Sequence, residues 1–422
     1  MGKNTFGAMV SLFLLSLVAV WINMSFIQYG VMEPLRSAHL LLAMLGMGFF
    51  LVQFILSSRI KWIERGFGLD KMLWYHRQSG RVATGFLFLH FSLVLVLDFS
   101  RGAAPILDGH RAYGLAALGI ILVTASVASL HKRMGLRYET WKSIHLVNYL
   151  AFPLALVHIM LNPAQRGAPV WWGFAFTYAF LIAYRIYMIY VLRKNPYMVV
   201  GVTSENSDTW TLRFAGRPLK YLPGQFLHVQ LHRRDGVSSS HPFTISSSPT
   251  EKLLGITPKA SGDFTSTIGE TEIGDQAYID APYGVFSFLR VPKNRPLVFI
   301  AGGIGITPFL SMLRYMHDRQ VDREVYLFWG NRTENNLFSR AELAEMEEHL
   351  PRLKVILVMS GQPDWVGEEG RIDLDLLTGY LGDLAPMEFF LCGPPPMTKA
   401  IEKQLADYGV SRAQVHREVF EL

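Results

Sequence analysis

The chain has 422 residues, half of them hydrophobic, with a net charge of +6 and a mean hydropathy of +0.23. That length allows two or three domains. One cysteine, Cys392, excludes a disulfide framework and a zinc ribbon, and the pI near 9.2 comes with no basic stripe or nucleic-acid motif.

The apolar residues concentrate in the first half. Six runs of roughly twenty mostly apolar residues, each enough to cross a hydrocarbon core as a helix, fall at about 6–27, 37–57, 73–98, 112–130, 142–161 and 170–192. The N-terminal run lacks a small-residue cleavage site and reads as a first span, not a removed signal peptide. Arg59, Lys61, Arg65 and Lys71 in one loop, with Lys132, Arg133, Arg137 and Lys142 in another, outweigh Arg36, Arg101, Arg111 and Arg166 in the rest. By the positive-inside rule both termini are cytoplasmic, and the protein is expected to sit in a bacterial plasma membrane.

Histidines interrupt these spans. His39 reads as a hydrogen-bonded packing residue. His76 and His90 are fourteen residues apart on the third span, and His145 and His158 thirteen apart on the fifth. Both spans run outward, which makes two levels roughly 20 Å apart. Ionisable groups at this depth usually have a partner or a task. Neutral imidazole is a good axial ligand for iron, and a pair at each level predicts two haems forming a wire across the membrane. A straight helix brings residues fourteen apart near one face but turns residues thirteen apart by about 140°. Pro153 lies between His145 and His158, so a distortion is expected there. Arg77 reads as a snorkelling cation and Arg81 as a candidate partner for a haem propionate.

After Asn195 the pattern becomes short alternating strands separated by turns, as in a small antiparallel barrel reaching to about residue 290. RPLVFIAGGIGITPF then reads as strand, glycine loop and helix. Gly302, Gly303, Gly305, Thr307 and Pro308 have the context of a pyrophosphate site, with glycines for close approach and a helix N-terminus for the anion. EVYLFWGNR, LKVILVMSG and MEFFLCGPPPM follow as buried strands of a doubly wound sheet.

These motifs together resemble the ferric reductase and NADPH oxidase superfamily, and the tail resembles ferredoxin–NADP reductase. The resemblance runs from about residue 35 to 420. It implies a membrane all-α six-helix haem domain (1–194), an antiparallel β-barrel FAD domain (195–292) and an α/β doubly wound NAD(P)H domain (293–422). In the HPFT motif it implies that His241 lies near the flavin pyrophosphate, Pro242 follows it, Phe243 packs on the isoalloxazine and Thr244 bonds the cofactor. Gly262, Asp263, Phe264 and Thr265 match the second flavin segment, where backbone N–H groups and Thr265 would hold phosphate. Arg332, with Arg371 as a second candidate, would read the adenosine ribose or its 2′-phosphate. Cys392, Gly393 and Pro394 match the segment beside the nicotinamide, and a reactive thiol is one reading of Cys392. Phe420 resembles the terminal aromatic that covers the flavin.

The predicted cofactors are FAD, two haems b and NADPH or NADH. The predicted function is electron transfer from cytoplasmic NADPH, through FAD and the haems, to an outer acceptor, with O2 giving superoxide as the leading reading. Ferric-chelate reduction and delivery to a redox partner protein in the periplasm or membrane are the alternatives. A membrane-tethered flavin reductase with packing histidines is a further rival. Val94 stands where NADPH oxidases often carry another histidine, which weighs against oxygen. Arg36 and His39 are candidates to line the acceptor pocket. No nucleic-acid partner is expected; the lipid bilayer is.

Overall fold

The computed structural model describes residues 18, 21–22, 34–100, 102, 109–131, 133–136, 138–163 and 165–418. All but three residues of the expected span at 6–27 lie outside the described residues, as do Phe420 and the side chain of Arg36. The chain forms two compact units, residues 1–189 and 190–422.

The first unit is helical: α1 (Pro34–Ser57), α2 (Lys61–Phe67), α3 (Leu69–Ser100), α4 (Gly109–Leu130), α5 (Tyr138–Leu146), α6 (Asn148–Leu161) and α7 (Pro169–Lys194). Among the described residues five stretches are long and apolar enough to cross a membrane: Ser37–Ser57, Lys71–Ser100, Gly109–Leu130, Glu139–Leu161 and Pro169–Lys194. Helix α1 packs along α3, and α4 along α6. Phe50, Phe54 and Phe152 interlock edge-to-face at ring separations of 5.4 Å, with Tyr149 and Tyr178 beside Phe54 at 5.2 and 5.0 Å. Phe176, Phe180 and Ile186 on α7 are exposed, an apolar exterior that suits lipid.

The expected distortion lies at Val147, six residues before Pro153, and splits the fifth span into α5 and α6. Val147 N–H bonds Ile144 O at 3.1 Å and Leu150 N–H bonds Val147 O at 2.9 Å, a local i→i−3 tightening. Pro153 stays inside α6. It has no N–H for the carbonyl of Tyr149, four residues back, which instead accepts from Tyr178 OH at 2.6 Å. The freed carbonyl of His145 accepts from Asn148 Nδ2 at 3.1 Å. Each tightened residue advances the helix by more than 100°, the direction needed to turn His158 back towards the face of His145.

In the second unit β1 (Tyr197–Ser204), β2 (Trp210–Ala215), β3 (Phe226–Arg233), β4 (Gly236–Val237), β5 (His241–Thr244), β6 (Leu254–Ile256) and β7 (Gln276–Tyr283) form an antiparallel sheet in the order β4-β3-β7-β1-β2-β6, with β5 on β3. An Ile245–Ile256 bridge joins the end of β5 to β6 and closes the barrel. Leu212, Leu227, Val229, Leu231, Ile245 and Ile256, all fully buried, fill it. Then β8 (Leu297–Gly302), β9 (Val325–Asn331), β10 (Leu353–Met359), β11 (Glu368–Glu369), β12 (Glu388–Cys392) and β13 (Val415–Glu418) make a parallel sheet ordered β11-β10-β9-β8-β12-β13. Around it lie α8 (Thr307–Asp318), α9 (Arg340–His349), α10 (Leu374–Leu381) and α11 (Pro395–Tyr408). The order reverses between β8 and β12, and a crevice at the carboxyl ends of such strands is where doubly wound folds take their ligands.

Candidate functional site

In the helical unit two of the candidate histidines, His76 and His145, meet ring to ring. The rings of His76 (α3) and His145 (α5) are 5.9 Å apart at an interplanar angle of 69°. Two imidazoles on one metal, with bonds of about 2.0–2.1 Å each, place their ring centres roughly 6 Å apart. At the other level His90 (α3) and His158 (α6) each stack on a histidine of a neighbouring helix, His39 and His110.

The ring nitrogens show how three of the imidazoles are oriented. His90 Nδ1 lies 2.8 Å from His39 O, His158 Nδ1 2.8 Å from His110 O, and His76 Nδ1 3.3 Å from Gln53 O. A carbonyl only accepts, so in the neutral ring Nδ1 carries the proton and Nε2 keeps its lone pair. A metal-ligating histidine is oriented in this way, by a hydrogen bond from its other nitrogen. The neighbouring helices supply the acceptors: His39 and Gln53 from α1, His110 from α4. Among the described residues no three or more His, Cys, Asp or Glu gather as a metal group, whereas a haem asks only for two axial nitrogens. The residues therefore fit two haems by donor set and orientation.

His39 packs its ring on that of His90 at 5.8 Å. His110, which the sequence reading placed in a loop, belongs to α4 and stacks on His158 at 5.6 Å. Gly114, one turn further along α4, was also missed. A Cβ there would stand 2.9 Å from the His158 ring, so only glycine leaves the ring its place. Arg77 and Arg81 are exposed, and Arg81 reaches Gln78 at 3.4 Å. Val94 lies on α3 one turn past His90.

In the barrel the two expected flavin segments come together. The His241 and Phe264 rings stack at 4.1 Å and 6°, and Phe243 lies 6.1 Å from Phe264. Thr244 is buried, while His241, Pro242 and Phe243 are half-buried. Thr265 Oγ1 accepts from the N–H groups of Ser261 (2.9 Å) and Gly262 (3.0 Å). Those two donors thus already hold the turn together. Asp263 is exposed beside them. Arg233, not foreseen, fastens this segment to β3 by donating to Thr267 O at 2.6 Å and Thr267 Oγ1 at 3.0 Å.

The glycine loop sits where β8 passes into α8. Gly303–Ile306 forms a 3-10 turn, Thr307 and Pro308 open the helix, and Trp329 Nε1 holds Gly303 O at 2.9 Å. The loop lies against the turn after β12. A Cβ on Gly305 would come within 2.3 Å of Cys392 O and 2.9 Å of Gly393 Cα, and one on Gly302 within 2.8 Å of Pro394 Cδ. These residues line the crevice where the strand order reverses. Arg332 follows β9 and Arg371 follows β11; both are exposed and without an ion-pair partner among the described residues. Asn331 was not foreseen; its buried Nδ2 has no partner among the described residues.

Cys392, for which a reactive thiol was one reading, ends β12. It is fully buried. Burial, then the nearby Glu418 carboxylate, pushes its thiol well above the ordinary range. A thiol kept protonated out of reach of solvent is no nucleophile.

The barrel is fastened to α8 just after the HPFT strand. Arg314 donates to Ser246 O at 2.6 Å and grips Glu342 at 2.5 and 2.7 Å, and Ser311 Oγ donates to Ser247 O at 2.7 Å.

Three family models match consecutive segments: the ferric reductase like transmembrane component over residues 42–156, an FAD-binding domain over 195–287, and an oxidoreductase NAD-binding domain over 299–403. A probable flavin reductase of Aliivibrio fischeri is 30% identical over 45% of this chain and 81% of its own length. The glycine betaine monooxygenase reductase subunit of Chromohalobacter salexigens is 28% identical over 50% of this chain, which spans 61% of that protein's length. A Ralstonia ferredoxin–NAD(P)(+) reductase component, of naphthalene 1,2-dioxygenase/salicylate 5-hydroxylase systems, is 25% identical over 53% of this chain and 67% of its own. In fold, the chain is similar to a flavohemoglobin from Malassezia yamatoensis, with a TM-score of 0.50 and 20% identity over 92% of this chain and 97% of that one. Apolar helices carrying the transmembrane match, followed by the barrel and the parallel sheet carrying the other two, place the chain among the oxidoreductases of ferric-reductase/NADPH-oxidase-type architecture, to which it belongs.

Proposed function

We propose that this membrane protein is an NADPH-dependent oxidoreductase that passes electrons outward to molecular oxygen, giving superoxide. One observation carries the reading: the His76 and His145 rings meet at 5.9 Å, and His76, His90 and His158 each have Nδ1 committed to a backbone carbonyl. Bound FAD would take a hydride from the nicotinamide and release its electrons singly, and two haems b would relay them outward.

The chain's own residues bind and orient. His76 and His145 would hold the inner haem, His90 and His158 the outer. Phe243 and Thr244 would face the flavin, with His241 and the 262–265 turn at its phosphates. The Gly302–Pro308 loop would cradle the nucleotide pyrophosphate at the start of α8. Gly393 and Pro394 would flank the nicotinamide, and Arg332 with Arg371 would take the 2′-phosphate. The working division is 1–194, 195–292 and 293–422, with six spans and both termini cytoplasmic. Electrons leaving a negative interior gain about 2.3 kcal/mol per 100 mV.

His90 and His158 would both be occupied in holding the outer haem, so neither would be left to bind oxygen. Arg36, at the start of α1, is the candidate cation for the developing superoxide. A protein acceptor is the second reading, favoured by relatives named as reductase components of oxygenase systems. The test is NADPH oxidation in air by the purified protein, followed with and without superoxide dismutase and ferric chelates. Dismutase-sensitive reduction of a superoxide probe, weakened in Arg36→Ala, is expected. Faster reduction of ferric chelates than of oxygen would replace the oxidase reading.

A further inference from the structure

His145 differs from the other three axial candidates. Their Nδ1 atoms are held by the carbonyls of Gln53, His39 and His110, whereas His145 Nδ1 is buried with no hydrogen-bond partner among the described residues. The helix pairs show where its acceptor is missing. On α1 the two acceptors, His39 and Gln53, stand fourteen residues apart; fourteen beyond His110 on α4 stands Thr124. The carbonyl of Thr124 does not take up His145 Nδ1, and its hydroxyl donates instead to Asn148 Oδ1 at 2.9 Å. The break at Val147, with Asn148 Nδ2 turned back onto His145 O, sets α5 apart from the run of α6.

An aromatic stack stands where that hydrogen bond is absent. Trp141 is one helical turn before His145 on α5, the spacing that brings side chains face to face. Its ring lies 5.5 Å from the imidazole at only 18°. Trp141 stacks in turn with His131, just past the end of α4, at 5.2 Å and 30°, and His131 Nδ1 is fixed on Ala128 O at 3.0 Å. Indole and imidazole held nearly parallel restrict the rotation of the imidazole about its own bond, as a hydrogen bond to Nδ1 would.

We propose that Trp141, backed by His131, is the positioning residue of His145, and sets the plane of the inner-level imidazole by stacking where the other three are set by backbone carbonyls. The inference rests on the reading of His76 and His145 as an axial pair. Stacking orients a ring without drawing on its N–H, so His145 lacks the gain in basicity that a hydrogen-bonded ligand receives. The plane of one ligand at one level should thus depend on residues 141 and 131 alone.

The test uses full-length protein in detergent with its FAD and haem, as wild type, Trp141→Leu, Trp141→Phe and His131→Leu. Low-temperature EPR reports the orientation of the axial imidazoles, and a redox titration followed by optical absorbance reports each haem's midpoint potential. Trp141→Leu is expected to shift the g-value and potential of one haem and leave the other unchanged. Trp141→Phe, which keeps a flat ring, should restore both, and His131→Leu should shift the same haem less. Two unaltered haem signals in Trp141→Leu would overturn the inference and leave the ligation intact; a wild-type protein without haem would overturn the ligation itself and the inference with it. If Trp141→Leu does not assemble, His131→Leu decides alone: a shift at one haem supports the stack, and two unchanged haems refute it.

Discussion

The chemistry proposed for the helical unit and that proposed for the nucleotide unit reside in different parts of the chain. In the helices it resides in four side chains, and the backbone contributes only acceptors, at His39, Gln53 and His110. In the α/β unit it resides in the backbone itself, in a glycine loop pressed so closely on the turn after β12 that Gly305 has no room for a Cβ. A site made of side chains can be emptied without disturbing the fold around it. A site made of backbone cannot, because the conformation that binds is also the one that packs.

The largest effect should follow removal of one outer histidine. His90→Ala or His158→Ala deletes a ring whose hydrogen bond ends on a carbonyl that helix α1 or α4 keeps in any case. Haem content is expected to fall by half relative to FAD, with reduction of FAD by NADPH retained. Unchanged haem content in either variant would show that these rings only pack, and the contrast between the units would collapse.

Gly305→Ala tests the other side. Its Cβ would meet Cys392 O at 2.3 Å, a backbone atom that cannot swing away. Relieving such overpacking costs roughly 1–3 kcal/mol, and the loop that must shift is the proposed pyrophosphate cradle. Both the melting temperature and the NADPH reduction rate should fall together. Gly85 on α3, with nothing within 4 Å of its would-be Cβ, is the control: Gly85→Ala should leave the melting temperature unchanged or higher. Loss of NADPH reduction without loss of stability in Gly305→Ala would separate binding from packing and refute the coupling.

The same contrast explains what the sequence disclosed. Apolar runs and histidine spacing are properties of residue type, and they located the five described spans and the His76–His145 pairing. The glycine motif was legible because strand and helix signals flank it, and the HPFT motif only through the family resemblance. Acceptor carbonyls leave no such mark, since every residue has one, and so the roles of His39, Gln53 and His110 were invisible. Pro153 signalled a distortion but not its position: proline frees the carbonyl of Tyr149, and Tyr178 takes it up without breaking α6, while the break falls at Val147. Gly114, Arg233 and Arg314 work through partners distant in sequence, which no local pattern announces.

A smaller effect is expected where a side chain serves the backbone-built site. Arg332 is exposed at the end of β9 and has no ion-pair partner among the described residues, so its loss leaves no buried charge behind. Charge-assisted hydrogen bonds to a 2′-phosphate are worth roughly 1.5–3 kcal/mol, or about ten- to a hundredfold in affinity. Arg332→Ala should weaken NADPH by that factor and leave NADH nearly untouched, as read from steady-state titrations of both. Equal losses for the two nucleotides would assign Arg332 to the ribose or the fold.

The smallest effect should come from Cys392, although it sits at the centre of the proposed crevice. Its thiol is fully buried and held protonated by burial and by Glu418. At pH 7 to 8 thiol reagents should therefore leave the native protein unlabelled, and Cys392→Ala should keep NADPH reduction. The difference emerges in alkali. Above the ordinary thiol value near 8.5 the unfolded chain releases a proton that the folded chain retains, so the folded state binds more protons and loses stability as pH rises, by up to about 1.4 kcal/mol per pH unit. Below that value both states are protonated and the thiol adds no slope. Melting temperatures at pH 8, 9 and 10 should fall more steeply for wild type than for Cys392→Ala, which lacks this titration. Parallel curves, or rapid labelling of the native thiol at pH 8, would mean that the turn after β12 opens to solvent. The backbone-built site would then be less rigid than the contact between Gly305 and Cys392 O requires.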